Sequence, residues 1–92
     1  MAQITREDAL LLVASGPPNL AGVDLSGLDL HSLDFRGADL TGAELHDANL
    51  RKANLSSANL NHANLSEADL RGANLEDAKL KGAVMPDGAK HK

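Results

Sequence analysis

A chain of 92 residues with one aromatic, Phe35, no Cys and a net charge of −4 is a single small domain whose core is not filled by rings. The missing Cys removes disulfides, zinc–thiolate sites and thiol nucleophiles together. The weak acidic excess has the wrong sign for a nucleic-acid binder, and the longest apolar run, residues 9–14, is too short to span a membrane.

Residues 1–17 predict an N-terminal capping helix and linker. Thr5 stands three residues before Asp8, a capping-box spacing, and Glu7 and Asp8 suit the positive end of a helix. The apolar stretch after them ends at Gly16, with Pro17 and Pro18 to block continuation. About ten residues of helix are unstable alone, so this segment is expected to lie as a lid on the remainder of the chain, through Thr5, Asp8, Leu10, Leu11 and Val13. Glu7 and Asp8 contradict the alternative of a membrane-surface helix, which needs a basic polar face. They also contradict a secretory signal, whose n-region is basic. A soluble cytoplasmic protein is expected.

Residues 18–87 repeat every five without one insertion. The third position of each block is Leu20, Leu25, Leu30, Phe35, Leu40, Leu45, Leu50, Leu55, Leu60, Leu65, Leu70, Leu75, Leu80 and finally Met85. The first position is Ala from Ala38 to Ala83, and the second is mostly Asp or Asn. Such self-similarity outranks any local signal. On an α-helix a period of five would scatter the Leu around the axis. On a straight strand an odd period would send them to alternate faces. The remaining solution is a short extended piece and a turn in every block, with positions one and three pointing inward and turn-favouring residues outside. A chain turning in the same sense each block winds into a solenoid. Pro18, Val23, Leu28 and Leu33 precede the unbroken Ala, and one atypical coil of four sides would give that pattern. Seventy residues at 20 per coil make 3.5 coils, about 17 Å tall at roughly 4.8 Å between rungs. Burial of about four Leu per coil, at roughly 2 kcal/mol each, replaces the missing aromatics.

The runs Ala38-Asp39-Leu40-Thr41-Gly42, Ala53-Asn54-Leu55-Ser56-Ser57 and Ala68-Asp69-Leu70-Arg71-Gly72 resemble the A(D/N)LXX signature of the pentapeptide-repeat proteins. The resemblance covers residues 18–87 and implies an all-β solenoid, a right-handed quadrilateral β-helix, here with a short α-helical cap. The end around Gly82–Gly88 is similar to the closing segment of small single-domain members abundant in cyanobacteria. Residues 88–92 form a polar C-terminal tail.

Stacking at period 20 sets His31, Arg51 and Arg71 in one outward column and Asp47, Glu67 and Asp87 in another. These are candidate interaction columns, for an anion and for a basic partner. The competing reading is a solvated wall in which Asp29 and Asp69 neutralise the arginines locally. His31, His46 and His62 fall in different columns, so no metal site is expected. A loop-free solenoid also offers no cleft for convergent catalytic groups, so neither a catalytic residue nor a cofactor is expected. The chain reads as a non-catalytic structural or protein-interaction module with an unidentified protein partner. The alternative implied by the resemblance is a DNA mimic binding a type II topoisomerase such as gyrase, although the central position here is Leu rather than Phe and the C-terminal half is basic. The C-terminal coil lacks a helix, and the resemblance implies pairing through this end. A weak homodimer through residues 70–87 is expected, opposed by Lys79, Lys81, Lys90 and Lys92.

Overall fold

Each five-residue block makes one corner. The Val23 N–H donates to the Leu20 carbonyl (3.1 Å), and the same bond recurs at Ala43 to Leu40 and Ala63 to Leu60 (both 3.0 Å). The residue before each of these donors has positive φ: 71° at Gly22, 67° at Gly42 and 62° at His62. A four-residue turn with φ > 0 at its third residue is of type II and favours glycine. Yet Ser32, Asp47, Lys52, Ser57, His62, Glu67 and Asp77 all adopt this left-handed conformation with a side chain. That costs about 1 kcal/mol per residue, so the corners are held by more than local preference.

One restraint is the Asn or Asp at the second position. Its Oδ1 accepts the N–H two residues on, at Asp39 to Thr41 (3.1 Å), Asn54 to Ser56 and Asn59 to Asn61 (both 3.0 Å). This is an Asx turn, which satisfies the corner N–H that no ladder reaches. Where the second residue is Lys79 there is no such acceptor. Asn61 of the coil below then supplies its Oδ1 to the Lys81 N–H (2.9 Å).

The second restraint is the stacking of coils. Parallel bridges join residues 20 apart in four columns: Asn19–Asp39–Asn59–Lys79, Asp24–Glu44–Asn64–Val84, Asp29–Asn49–Asp69 and Asp34–Asn54–Asn74. These are the first to fourth walls of a square coil. Along each wall the central residue donates upward, as Leu20 to Asp39 and Leu40 to Asn59 (2.7 and 2.8 Å), and the second residue donates downward, as Asp39 to Pro18 (3.0 Å).

The computed structural model describes residues 4–92; residues 1–3 of the expected cap lie outside the described residues. The interior is a column of Leu25, Leu30, Phe35, Leu40, Leu45, Leu50, Leu55, Leu60 and Leu65, all essentially inaccessible, lined by Ala38, Ala43, Ala48, Ala53, Ala58 and Ala63. Leu70, Leu75 and Leu80 continue the column but are only half-buried, with Met85, at its C-terminal end. Helix α1, Arg6–Ala14, lies over the other end. Its N-terminus carries the reciprocal capping box: the Asp8 N–H donates to Thr5 Oγ1 (3.2 Å) and the Thr5 N–H to Asp8 Oδ2 (3.0 Å). No helix among the described residues is long and apolar enough to cross a membrane.

Candidate functional site

The third wall carries the basic column. His31, Arg51 and Arg71 stack as the period requires, and each is drawn to an aspartate of the adjoining column. His31 Nδ1 lies 2.6 Å from Asp29 Oδ1. The Arg71 guanidinium grips Asp69 through Nε (2.9 Å) and Nη2 (2.7 Å), and Arg51 Nε stands 3.9 Å from the same carboxylate. The Arg71 hydrogen bonds hold the Asp69 carboxyl down at about 2, helped by the charges of Arg71 and Arg51. The His31 ring and backbone bonds likewise lower Asp29, with Arg6 adding its charge. A shallow cleft of about 380 Å³ runs between Asp29, His31, Asn49 and Arg51. Lys52 lines it as well, while Asp29 is paired with His31 and Arg51 stands near Asp69.

The acidic column is met by a histidine. His46, Asp47 and Glu67 bring one donor atom each within 4.8 Å of one another, a grouping that histidine pairs in one column do not capture. Counting only histidine pairs overlooks a His beside stacked carboxylates. His46 Nε2 is 3.0 Å from Asp47 Oδ2, and its Nδ1 is 2.8 Å from the Ser66 hydroxyl. Contacts of the His46 ring with Asp47 and Ser66 at a corner account for this geometry. Asp87 departs from the column: its Oδ1 accepts the Ala89 N–H (3.0 Å) and starts the tail.

The two ends are built differently. Over the first coil, Ala9 is buried, and Ile4 and Val13 pack against the core. Leu10 and Leu11 do not: they are 42% and 73% exposed, with Leu12 at 40%. Of the expected apolar lid residues Val13 packs against the core, whereas Leu10 and Leu11 give way to Ala9, which lies four residues before Val13 on one helix face. Arg6, which no sequence pattern singles out, completes the lid. Its guanidinium donates to the carbonyls of Asp29 (2.7 Å) and His31 (3.2 Å), edge acceptors of the third wall with no coil beneath them.

At the other end the tail closes only one wall. Lys90 bridges Val84 antiparallel, the His91 N–H donates to Ala83 (2.7 Å) and the Met85 N–H to Ala89 (2.8 Å). On the remaining walls, among the described residues, the N–H groups of Leu70, Leu75 and Leu80 and the carbonyls of Ala68, Ala73 and Ala78 have no backbone partner. This is an open parallel edge beside half-exposed leucines. A cleft of about 530 Å³ adjoins it, lined by Glu67, Ala68, Leu70 and Pro86.

The chain matches the model of the pentapeptide repeats over residues 19–56 and 48–85. Among solved structures, a pentapeptide repeat protein from the Arabidopsis thaliana thylakoid lumen is 38% identical with a TM-score of 0.74, the match covering 76% of this chain and 48% of that one. HetL, a pentapeptide repeat protein of Nostoc involved in the regulation of heterocyst differentiation, is 42% identical over 83% of this chain and 42% of its own, with a TM-score of 0.36. A pentapeptide repeat protein from the cyanobacterium Cyanothece, Rfr23, is 32% identical over 75% of this chain and 54% of that one, with a TM-score of 0.46. The chain spans about half the length of these solved relatives. No curated protein matches it.

Proposed function

The chain belongs to the pentapeptide-repeat family, whose members fold as right-handed quadrilateral β-helices and are generally non-enzymatic, and on that premise we propose that it is a non-catalytic protein-interaction module whose working surface is the C-terminal coil. The observation that carries this reading is the open edge, where three walls end in unpaired backbone groups beside half-exposed Leu70, Leu75 and Leu80. Such an edge is a template for adding backbone from another chain. The basic column of the third wall is less suited, because Arg71 is held by Asp69 and Arg51 stands beside the same carboxylate. The same pairing speaks against duplex-DNA mimicry of a gyrase substrate, which needs a continuous run of free carboxylates.

A second copy of the chain is the first partner to test, as a weak homodimer through residues 70–87. One coil has a small cross-section, so the contact falls below the roughly 800 Å² per partner of a standard interface. Amide exchange of Leu70, Leu75 and Leu80 followed against protein concentration tests the reading. Slower exchange at high concentration, with the Leu45 amide unchanged, is expected. Exchange at the edge that is independent of concentration up to millimolar protein would refute self-association. In a supercoiling assay, inhibition of gyrase at micromolar protein would favour the mimic instead.

A further inference from the structure

After its charged first turn, Arg6-Glu7-Asp8, helix α1 is apolar on every side. Residues 9–14 read Ala-Leu-Leu-Leu-Val-Ala, and the face made by Ala9 and Val13 is enough to cover the first coil. Leu10, Leu11 and Leu12 stand on the outer side, exposed to 42%, 73% and 40%. A helix that is hydrophobic all round is ordinarily buried on more than one side. Leu11 points to solvent and Leu10 and Leu12 flank it, which leaves a partly exposed apolar face that the core does not cover.

The opposite end of the molecule has the complementary need. Its rim of Leu70, Leu75, Leu80 and Met85 has no helix over it. The charges also differ in sign between the ends. Residues 1–50 hold 8 acidic and 2 basic groups, and residues 51–92 hold 5 acidic and 7 basic ones. Glu7 and Asp8 open the cap helix, while around the open coil and its tail Lys79, Lys81, Lys90 and Lys92 outnumber Glu76, Asp77 and Asp87. Coil-to-coil pairing would set these lysines against their own copies. Cap-to-coil pairing sets them against Glu7 and Asp8.

We propose that the outer face of α1 on one copy, through Leu10, Leu11 and Leu12, seats on the open C-terminal coil of another, so that copies add head to tail. The inference rests on the reading that the C-terminal coil is the binding surface, and it names the face of the second copy that fills it. A contact between two different patches does not close on itself, so it builds open chains rather than a terminal dimer. Each helix then lies between two coils, with Ala9 and Val13 on its own and the three leucines on its neighbour's.

Complementation in sedimentation velocity decides the matter. Leu11 is mostly in solvent, so Leu11→Lys leaves the fold intact and blocks only the cap face. Leu75→Lys blocks only the open coil; if its thermal melt shows it unfolded, Lys79→Glu with Lys81→Glu replaces it. The wild type is expected to grow with concentration beyond the dimer. Each variant alone is expected to be a monomer, with association at least tenfold weaker. An equimolar mixture of the two is expected to form a dimer and stop there, since only one cap and one coil remain competent. If Leu11→Lys self-associates like the wild type, the head-to-tail contact is overturned and pairing between two coils stands; if the mixture stays monomeric while the wild type associates, both contacts are overturned. A wild type that is monomeric at every concentration overturns the binding surface as well.

Discussion

The first and last coils are made from the same five-residue unit, yet one is closed and the other is open. At the N-terminal end, Ile4, Ala9 and Val13 cover the core and Arg6 takes up two edge carbonyls. At the C-terminal end the tail pairs with one wall, and three walls stop with their donors and acceptors exposed. The difference shows that a repeat cannot end itself. A Leu column propagates as long as the next coil covers the last, and only sequence outside the repeat can end it. The wider first coil, with Val23, Leu28 and Leu33 where later coils have Ala, belongs to the same device, since it meets a helix rather than another coil.

The largest expected difference between the ends is in packing. Leu30, fully buried in the capped first coil, should lose about 2–5 kcal/mol on Leu30→Ala. Leu75, half-exposed on the open rim, should lose only about half as much, because its neighbours are missing on one side before the mutation. Urea denaturation of both variants at low protein concentration measures the gap. Equal losses would mean that the open end is covered.

How far the sequence reveals this asymmetry depends on the range of the interactions involved. The Leu column and the Thr5–Asp8 box are legible because both are written in local spacing, five residues in one case and three in the other. The covering face of α1 is not legible. With six consecutive apolar residues there is no polar contrast to say which side turns inward; size favours Leu10 and Leu11 beside Val13, where the structure uses Ala9 with Val13. His46 joins Asp47 and Glu67 through a step of one coil plus one residue, which a strict column of 20 passes over. Asn61 reads as an outward residue that tolerates Ala unless its side chain serves a turn, and the turn it serves lies one coil on: Lys79 leaves its own corner without an acceptor and makes Asn61 the substitute. Arg6 escapes a reading of the sequence because its targets are backbone carbonyls, and any residue would present those.

Arg6 therefore offers the next test of the closed end. Arg6→Ala removes two hydrogen bonds from a charged donor to the edge of the third wall. It should cost about 1–2 kcal/mol, at the lower end of what such bonds contribute because water can reach the freed carbonyls. Amide exchange should rise in α1 and around His31, and stay unchanged at Leu70. Loss of protection at both ends would show that the cap acts on the whole solenoid rather than on its first coil.

The smallest effect compares two aspartates of one wall. Asp29 at the capped end is held by His31 and Arg6, and Asp69 at the open end by Arg71 and Arg51. Both carboxyls lie below their ordinary range, Asp69 at about 2. Because the folded value lies below the unfolded one, near 3.9, the unfolded chain binds more protons between them. The stabilisation is then complete above about pH 4 and is lost as the pH falls through about 2. Both groups face solvent, so the contribution is small and screened by salt. Asp69→Asn keeps the Oδ1 that accepts the Arg71 N–H, and so preserves the corner while removing the charge pair. It should be slightly less stable than the wild type at pH 7 and indistinguishable from it near pH 2 in denaturant titrations. Asp29, also lowered, should on Asp29→Asn show a penalty that fades in the same direction, toward acid pH, and in addition faster exchange in α1, because Arg6 loses its carboxylate partner. A penalty for Asp69→Asn that persists unchanged at pH 2 would show that the carboxylate serves the corner through its shape rather than its charge.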